Sequence, residues 1–411
     1  MKRIGIFIII LAVILFLFFG LGKTDSNRNG EKEVKLDNLV GMSIDEVEAY
    51  ARDKDIELEV SYEYNYDVDR DIVISQGIDV GSKISRKDVV SVVVSKGRVP
   101  VSVYQENKVN ELGNVPIMMY HGIIDMESVD TDYIGGNVDK DGYNRTVSAF
   151  REDLEFYYHN GYRMIRLNDY IDGNIDVELG KSPIILTFDD GNENNFKVLG
   201  EENGELILDP NCAVSVLEEF KKKYPDYGVT ATFFVNSTLF GQDEYNDKIL
   251  RWLVNHGYDI GNHTMSHVDF TKAGIEETKE EVGGIYQLLD SIIPDKYVSI
   301  VALPFGSPYK KSHPNYDAIL KGELNGVTYE TKACLRVGWE AEMSVFDKEF
   351  DPTFLKRIRA YDNNGKEFDI KMNFELLESI RYISDGDIDT IVVPSRNQDK
   401  VNGSNREVIV Y

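Results

Sequence analysis

Two short segments of this chain carry residue types that could bind a metal ion and activate water. The first, Thr187–Gly191, contains the adjacent carboxylates Asp189 and Asp190, and the second has an imidazole at each end, His263 and His267. Two imidazoles and one carboxylate are a common ligand set for catalytic zinc, which keeps positions open for water and substrate. The second carboxylate could then take a proton from water, so this set predicts metal-assisted hydrolysis.

The geometry that such a site requires can be stated in advance. Histidines four residues apart can share one face of a helix, about 6 Å from each other. Adjacent strand residues point to opposite sides, so the chain must bend for both aspartates to serve one site, and Gly191 allows a bend. Each segment also has an ordinary interpretation, because His-x3-His is often a pair of surface histidines and Asp-Asp-Gly is often a turn.

Seven apolar segments that end in polar residues or glycine recur after Val115, and helix-length segments separate several of them. Strand–helix alternation predicts parallel strands with helices outside, and seven strands favour an α/β fold of the distorted (β/α)7-type barrel. The strand segments are Pro116–His121, Ile184–Gly191, Ala231–Asn236, Tyr258–His263, Val298–Gly306, Ala333–Trp339 and Asp389–Ser395. The helical segments are Ala149–His159, Ala213–Tyr224, Lys248–Asn255, Ile275–Ser291 and Phe374–Ile383. Chemistry in such barrels gathers at the C-terminal ends of the strands, where the candidate residues fall.

The net charge and the cysteine content limit which partners and metal sites are expected. The net charge of −26 over 411 residues excludes nucleic acid, because a phosphate backbone requires a basic surface. The two cysteines, Cys212 and Cys334, do not form a C-x-x-C motif, so a thiolate zinc site is not expected. They could form one disulfide, but two separate buried thiols are the favoured interpretation.

The N-terminus has the pattern of a membrane segment. Lys2 and Arg3 precede an unbroken apolar run from Ile4 to Gly22, long enough to cross a bilayer core of roughly 30 Å. No small-x-small cleavage site follows, so residues 1–22 are interpreted as a signal-anchor rather than a cleaved signal peptide, with residues 23–33 as a tether. Positive charge before the run predicts a single-pass cell-membrane protein whose C-terminal domains are extracytoplasmic, or a secreted protein if the segment is cleaved.

Residues 34–97 have the pattern of a small α+β module. The capping-box pattern Ser43-x-x-Glu46 predicts a helix from about Ile44, and three segments, Ile56–Val60, Ile72–Ser75 and Val89–Ser95, predict strands. The module resembles a PASTA domain in Leu39–Ser43, Val73–Gln76 and Val92–Gly97. This resemblance implies affinity for peptidoglycan fragments, whereas a simple spacer role is the alternative. Residues 98–113 are interpreted as a linker and residues 114–411 as the large domain.

The large domain resembles the polysaccharide deacetylases of the NodB-homology type, carbohydrate esterase family 4, over roughly Val115–Ser395. Thr187–Gly191 matches the first motif of that family and His263–His267 the second, while Pro304–Gly306 matches part of the third. The resemblance implies that Asp189 is the general base and that Asp190, His263 and His267 hold one divalent metal, zinc first, with cobalt, nickel or iron as alternatives. It also implies that the backbone N–H of Phe305, beside Pro304, holds the oxyanion formed when metal-bound water attacks an acetyl carbonyl.

The chain departs from the family pattern at three places. No arginine precedes Pro304 to orient the base, so Asp189 is expected to be oriented differently. The last predicted strand, Thr390–Ser395, lacks the family's general-acid histidine. His121 is the proposed substitute, with a structural role as the alternative, and Asp189, once protonated, could instead return its own proton. Residues 192–211 lengthen the loop after the aspartates and are expected to overhang the site. Trp339 is expected either to line the acetyl pocket or to pack in the core.

The resulting hypothesis is a hydrolase that removes N-acetyl groups from a cell-wall or surface polysaccharide, such as peptidoglycan or another glycan with N-acetylglucosamine or N-acetylmuramic acid units. A different class remains open, a catalytically weak or inactive wall-binding protein on a deacetylase scaffold, because two motif residues are missing. An O-acetyl esterase with the same site is the third interpretation. The complete Asp-Asp and His-His set favours the enzyme.

Overall fold

The computed structural model of the chain describes residues 33–85, 88–402 and 405–411. The chain divides into two compact units, Met1–Pro100 and Val101–Tyr411. The predicted membrane segment, residues 1–22, and all of the predicted tether except Glu33 lie outside the described residues. Within the described ranges, no helix is both long and apolar enough to cross a membrane.

The first unit contains the predicted helix over a three-stranded sheet. The helix Ile44–Lys54 begins with the predicted capping box, in which Ser43 Oγ accepts from Glu46 N and the Glu46 carboxylate accepts from Ser43 N. The sheet has the strand order Glu57–Glu63, Val89–Ser95, Val73–Gln76, and a short pair joins Val34–Lys35 to Lys83–Ile84. Val90, Val92 and Val94 alternate toward the core of this unit, as period-two burial requires.

An eight-stranded parallel sheet forms the centre of the second unit. Its path runs through Ala333–Leu335, Ile300–Ala302, Asp259–Asn262, Thr232–Val235, Ser182–Phe188, Ile117–Tyr120 and Ile358–Arg359, and Tyr162–Met164 pairs with the beginning of Ser182–Phe188. Six of these strands match predicted segments, so the α/β prediction is confirmed. The sheet curls so that the carboxyl ends of neighbouring strands face one rim, as a barrel-type fold requires.

The seventh predicted segment forms a strand, but its predicted place in the barrel is wrong. Thr390–Val393 does not join the central sheet but pairs in parallel with Glu407–Val410 in a separate two-stranded sheet. The position beside Ile117–Tyr120 belongs instead to Ile358–Arg359. This strand has two residues and a charged end, so it lacks the apolar run by which the other strands were predicted.

The backbone from Leu355 to Arg359, here named the closing segment, contacts both edges of the curled sheet. At one end, Leu355 N donates to Cys334 O and Arg336 N donates to Leu355 O, each at 2.8 Å. At the other end, Ile358 and Arg359 pair with Met118 and Met119. One five-residue stretch therefore connects the first strand of the barrel to the last.

The helices pack their apolar faces against the sheet. Those that correspond to the five predicted segments are Val147–His159, Ala213–Lys223, Asn246–Asn255, Ile275–Ile292 and Ile370–Leu377, and they agree to within a few residues, except that the last begins and ends earlier. Two short helices, Leu167–Asp172 and Tyr316–Leu320, were not predicted. The predicted linker 98–113 differs, because it contains the helix Val101–Asn107, whose Tyr104 is buried in the second unit together with Val109. Cys212 and Cys334 are both free and buried, as favoured.

Several two-stranded sheets, some antiparallel and some parallel, lie outside the central sheet. The lengthened loop 192–211 forms a hairpin of Val198–Glu202 with Glu205–Leu208, whose apolar side chains Val198, Leu206 and Leu208 pack on the core. Two further pairs are Ile123–Ile124 with Arg145–Thr146 and Lys321–Leu324 with Val327–Glu330.

Candidate metal and base site

The two aspartates stand where the central strand Ser182–Phe188 ends. The predicted bend is present, and it begins at Asp190, which has φ 76°, followed by Gly191 with φ 61°. A Cβ on residue 191 would lie 2.3 Å from Leu239 O, so glycine is required there both by φ and by space. A non-glycine residue held at positive φ is a strained conformation that clusters at functional sites.

The segment His263–His267 is not helical, so the two imidazoles do not meet on one face of a helix as the spacing suggested. It follows the strand Asp259–Asn262 as an irregular loop in which Thr264 has φ 65° and His267 has φ 57°. The carboxylate of Glu281, on helix Ile275–Ile292, accepts hydrogen bonds from Ser266 N at 2.8 Å and Ser266 Oγ at 2.6 Å. These bonds hold the loop so that the two imidazole centroids still lie 4.9 Å apart.

Asp190, His263 and His267 converge as predicted. Asp190 Oδ1 lies 3.1 Å from His263 Nε2 and 3.5 Å from His267 Nε2, and one potential ligand atom from each residue falls within 4.8 Å of the others. His263 Nδ1 makes a 2.8 Å hydrogen bond with Ala302 O, which leaves Nε2 as the atom that faces Asp190. That Nε2 is buried and lacks a hydrogen-bond partner of acceptable geometry. The chemistry and orientation of the three donors therefore fit a divalent metal.

Asp189 is held by a residue that the sequence did not single out. Arg357, in the closing segment, is fully buried and donates from Nη1 to Asp189 Oδ1 at 2.8 Å and from Nη2 to Asp189 Oδ2 at 2.7 Å. Nη1 also donates to Thr187 Oγ1 at 3.2 Å, and Nε donates to Arg336 O at 2.8 Å. The family-type arginine is thus absent before Pro304, but a bidentate guanidinium orients Asp189 from another strand.

This ion pair sets the charge of Asp189. Burial alone would raise its pKa, but the Arg357 guanidinium, with the nearby His263, holds the pKa of Asp189 well below its ordinary value. The carboxylate is therefore ionised at neutral pH and can accept a proton. Because both of its oxygens already accept hydrogen bonds from Arg357, its orientation is fixed before any substrate arrives.

A cavity of about 310 Å³ opens over these residues. His121 lines it, with Nε2 4.0 Å from Asp189 Oδ2 and with a buried Nδ1 that has no hydrogen-bond partner. Burial, the dominant influence, lowers the pKa of His121 below its ordinary value despite the two nearby carboxylates. The remaining lining residues are Tyr143, Asn144, Asp189, Asp190, Asn192, His263, His267, Leu303, Phe305 and Val337.

The third predicted motif lies on the same rim. Pro304 is buried and begins the short turn Pro304–Gly306, in which Phe305 has φ 57°. The exposed Phe305 ring packs edge-on against His267, with centroids 4.6 Å apart. The turn thus places Phe305 at the cavity, beside His267.

Trp339 is placed differently from the prediction that it lines the acetyl pocket. It is half-buried, does not line the cavity and pairs its backbone with Ile358. Leu303 and Val337 supply the apolar part of the cavity wall instead. Of the lengthened loop 192–211, only Asn192 lines the cavity, while Asn195 donates to His121 O at 2.7 Å and so positions the backbone of that histidine.

Sequence reasoning missed Arg357, Tyr143 and Asn144. Arg357 lies 168 residues after its partner Asp189, in a segment without an apolar run, so nothing local indicates that they meet. Tyr143 and Asn144 belong to the long loop after Tyr120, and only the fold brings this loop back over the rim. The one signal available in the sequence was an arginine that lies between two apolar residues, Leu355 and Ile358.

Replacement of Arg357 by alanine is expected to lower the free energy of unfolding by about 3–5 kcal/mol, because it leaves Asp189 buried without a compensating charge. Urea denaturation in the presence of chelator measures this effect. The matched control is Arg151→Ala, which removes a solvent-exposed ion pair with Glu219 and should cost about 0–1 kcal/mol. Equal losses in the two variants would contradict the assignment of the Arg357 pair.

Purified protein equilibrated with zinc and then desalted is expected to retain one divalent ion per chain, measured by elemental analysis. His263→Ala removes a ligand and should lose the ion, whereas His159→Ala changes an exposed histidine outside the site and should retain it. A wild type that stays metal-free after this treatment would remove the metal site from consideration.

Comparison with known proteins agrees with this geometry. Residues 176–319 match the family Polysaccharide deacetylase, and residues 34–96 match the family PASTA domain. A chitooligosaccharide deacetylase of Bradyrhizobium sp. is 27% identical over 127 residues, 31% of this chain and 48% of that protein. A peptidoglycan-N-acetylglucosamine deacetylase of Bacillus cereus is 28% identical over 149 residues, 36% of this chain and 41% of that protein. The alignment thus spans less than half the length of either relative.

Among solved structures, the Streptococcus pyogenes deacetylase PplD in complex with acetate is 18% identical, with a TM-score of 0.45 over 63% of this chain and 97% of that one. Residues 176–319, which include Asp189, Asp190, His263 and His267, therefore match the polysaccharide deacetylase family, and residues 34–96 match the PASTA domain family.

Proposed function

We propose that the protein is a metal-dependent hydrolase that removes N-acetyl groups from a cell-wall or surface polysaccharide containing N-acetylglucosamine or N-acetylmuramic acid units. One observation carries this proposal. A carboxylate held by a buried guanidinium and a three-residue ligand set open into the same cavity, in a domain of the polysaccharide deacetylase family. The names of the two relatives support an N-acetylated glycan as the substrate class.

Asp190, His263 and His267 would hold the metal, with zinc as the first choice for two imidazoles and one carboxylate, and cobalt, nickel or iron as alternatives. When bound, such an ion acidifies water and polarises an acyl oxygen. Asp189, ionised and fixed by Arg357, takes a proton from the attacking water. The apolar side chains of Leu303 and Val337 exclude bulk water from the acetyl group.

The remaining steps need an oxyanion donor and a proton for the amine. The backbone N–H of Phe305 is the proposed oxyanion donor, since the turn Pro304–Gly306 lies at the cavity beside His267. As the C–N bond breaks, the amine nitrogen takes a proton, and His121 is the proposed donor. The proton that Asp189 takes from water passes to His121, whose Nε2 lies 4.0 Å from Asp189 Oδ2, and His121 gives it to the amine nitrogen. The products are the free amine and acetate.

We also propose that the N-terminal apolar run Ile4–Gly22 anchors the chain in the cell membrane, with the catalytic domain outside, and that the PASTA domain binds peptidoglycan. The charge pattern Lys2-Arg3 before the run supports this orientation. Membrane fractionation of the full chain and of a chain that begins at Lys23 tests the anchor, because recovery of both in the soluble fraction would refute it.

Release of acetate from N-acetylated wall glycan and from chitooligosaccharides tests the catalytic proposal. Wild-type protein loaded with zinc is expected to release acetate and to lose this activity in chelator. Asp189→Asn should keep the ion and lose about 10²–10⁴-fold in rate, and His121→Ala should lose rate within the same range, because each removes a proton-transfer group. Unfolding curves of both variants control for stability.

The outcomes separate the alternatives. Retained glycan binding without acetate release by the wild type would identify a wall-binding protein on a deacetylase scaffold. Faster release from O-acetylated than from N-acetylated substrates would identify an O-acetyl esterase. Full activity of Asp189→Asn would remove its role as the base.

A further inference from the structure

A continuous stack of side chains leads away from the cavity. The Arg359 guanidinium lies between two rings, 4.2 Å from the Tyr143 centroid and 3.7 Å from the Trp339 centroid. The other side of Trp339 stacks on Phe368, with centroids 4.5 Å apart and planes at 30°. We name these four residues the aromatic wall. Because Tyr143 also lines the cavity, the wall begins inside the site.

Arg359 makes cation–π contacts with two rings of the wall and forms no ion pair within the part of the chain that the structure describes. It is only 5% exposed, no carboxylate lies within 4.0 Å of it among the described residues, and its Nε has no hydrogen-bond partner. Its Nη1 donates to the carbonyl oxygen of Asp141. A buried cation is costly unless other interactions compensate for it, and two aromatic faces contribute here. The guanidinium therefore contacts both the Tyr143 ring and the Trp339 ring.

Two loops interlock behind the wall and make it rigid. The Asp362 carboxylate accepts from Gly136 N at 2.7 Å, and Asn137 Nδ2 donates to Asp362 O at 2.8 Å. Gly142 packs so closely on Tyr361 that a Cβ would lie 2.3 Å from a ring carbon. The loop that carries Tyr143 and the segment that carries Arg359 and Phe368 thus form one pre-organised surface.

Phe368 ends the wall in a left-handed backbone conformation. Its φ is 68°, strained for a bulky residue, and it is 38% exposed. Asp369 stabilises this turn, because its Oδ2 accepts from Asn363 N at 2.6 Å and from Gly365 N at 3.1 Å. A strained backbone that displays an aromatic ring to solvent is typical of a binding surface.

We propose that the aromatic wall is a subsite for a neutral sugar ring that lies beyond the immediate neighbour of the sugar whose acetyl group enters the cavity. This inference depends on the proposed function. A pyranose ring presents C–H groups on one face, which pack on the negative face of an aromatic ring, and Phe368 is 38% exposed. The Asp139 carboxylate accepts a hydrogen bond from Tyr143 N at 3.0 Å, and its negative charge beside the wall disfavours an anionic ligand. The protein would therefore act on chains rather than on single sugars.

Kinetics on chitobiose and chitopentaose test the subsite, with the full chain loaded with zinc. The wild type is expected to have a higher kcat/KM for the pentamer than for the dimer. Phe368→Ala should lower kcat/KM for the pentamer about 3- to 10-fold, through KM rather than kcat, and leave the dimer unchanged. Phe368→Tyr keeps the ring and should preserve the preference. Val327→Ala, an exposed apolar residue on an outer hairpin, is the control.

The subsite and the proposed function fail in different ways. If Phe368→Ala lowers both substrates equally or changes neither, the subsite is refuted while acetate release stands. If no substrate is turned over, calorimetric titration with chitopentaose decides the subsite separately. Weaker pentamer binding by Phe368→Ala than by Phe368→Tyr would support it, and equal binding by both would refute it.

Discussion

The ion pair between Arg357 and Asp189 is the constraint on which the site depends. Both groups are buried, so neither charge would be tolerated without the other, and the bidentate geometry leaves the carboxylate a single orientation. The pair also connects two distant parts of the barrel, the central strand and the closing segment. The closing segment must therefore be in place before Arg357 can stabilise the ionised form of Asp189.

Positive φ angles at the ends of the strands turn several side chains toward the candidate site. Asp190, Thr264, His267 and Phe305 all have positive φ although none is a glycine. Each conformation costs of the order of 1–3 kcal/mol, and each is held by neighbours such as Glu281 or the tight contact at Gly191. The arrangement of Asp190, His263 and His267 is therefore imposed by the surrounding structure.

The sequence predicted the parts of the molecule that have local patterns. Apolar runs identified six strands, and the motifs around Asp189 and His263 identified residues that converge at the candidate site, because spacing within a strand end is local information. The closing segment could not be predicted, since its two-residue strand has no periodicity and Arg357 meets Asp189 only through the fold. For the same reason Thr390–Val393, a stronger apolar run, was wrongly placed in the barrel, and the missing arginine was taken for a defect of the site.

The closing segment has one further consequence, which concerns register. Arg357 and Arg359 are two residues apart on extended backbone, so alternation places them on the same side, one toward the base and the other toward the aromatic wall. A slip of one residue between Leu355 and Ile358 would turn both guanidinium groups away together. Insertions or deletions here would therefore remove the base's partner and the wall's central cation at once, although neither residue touches the other.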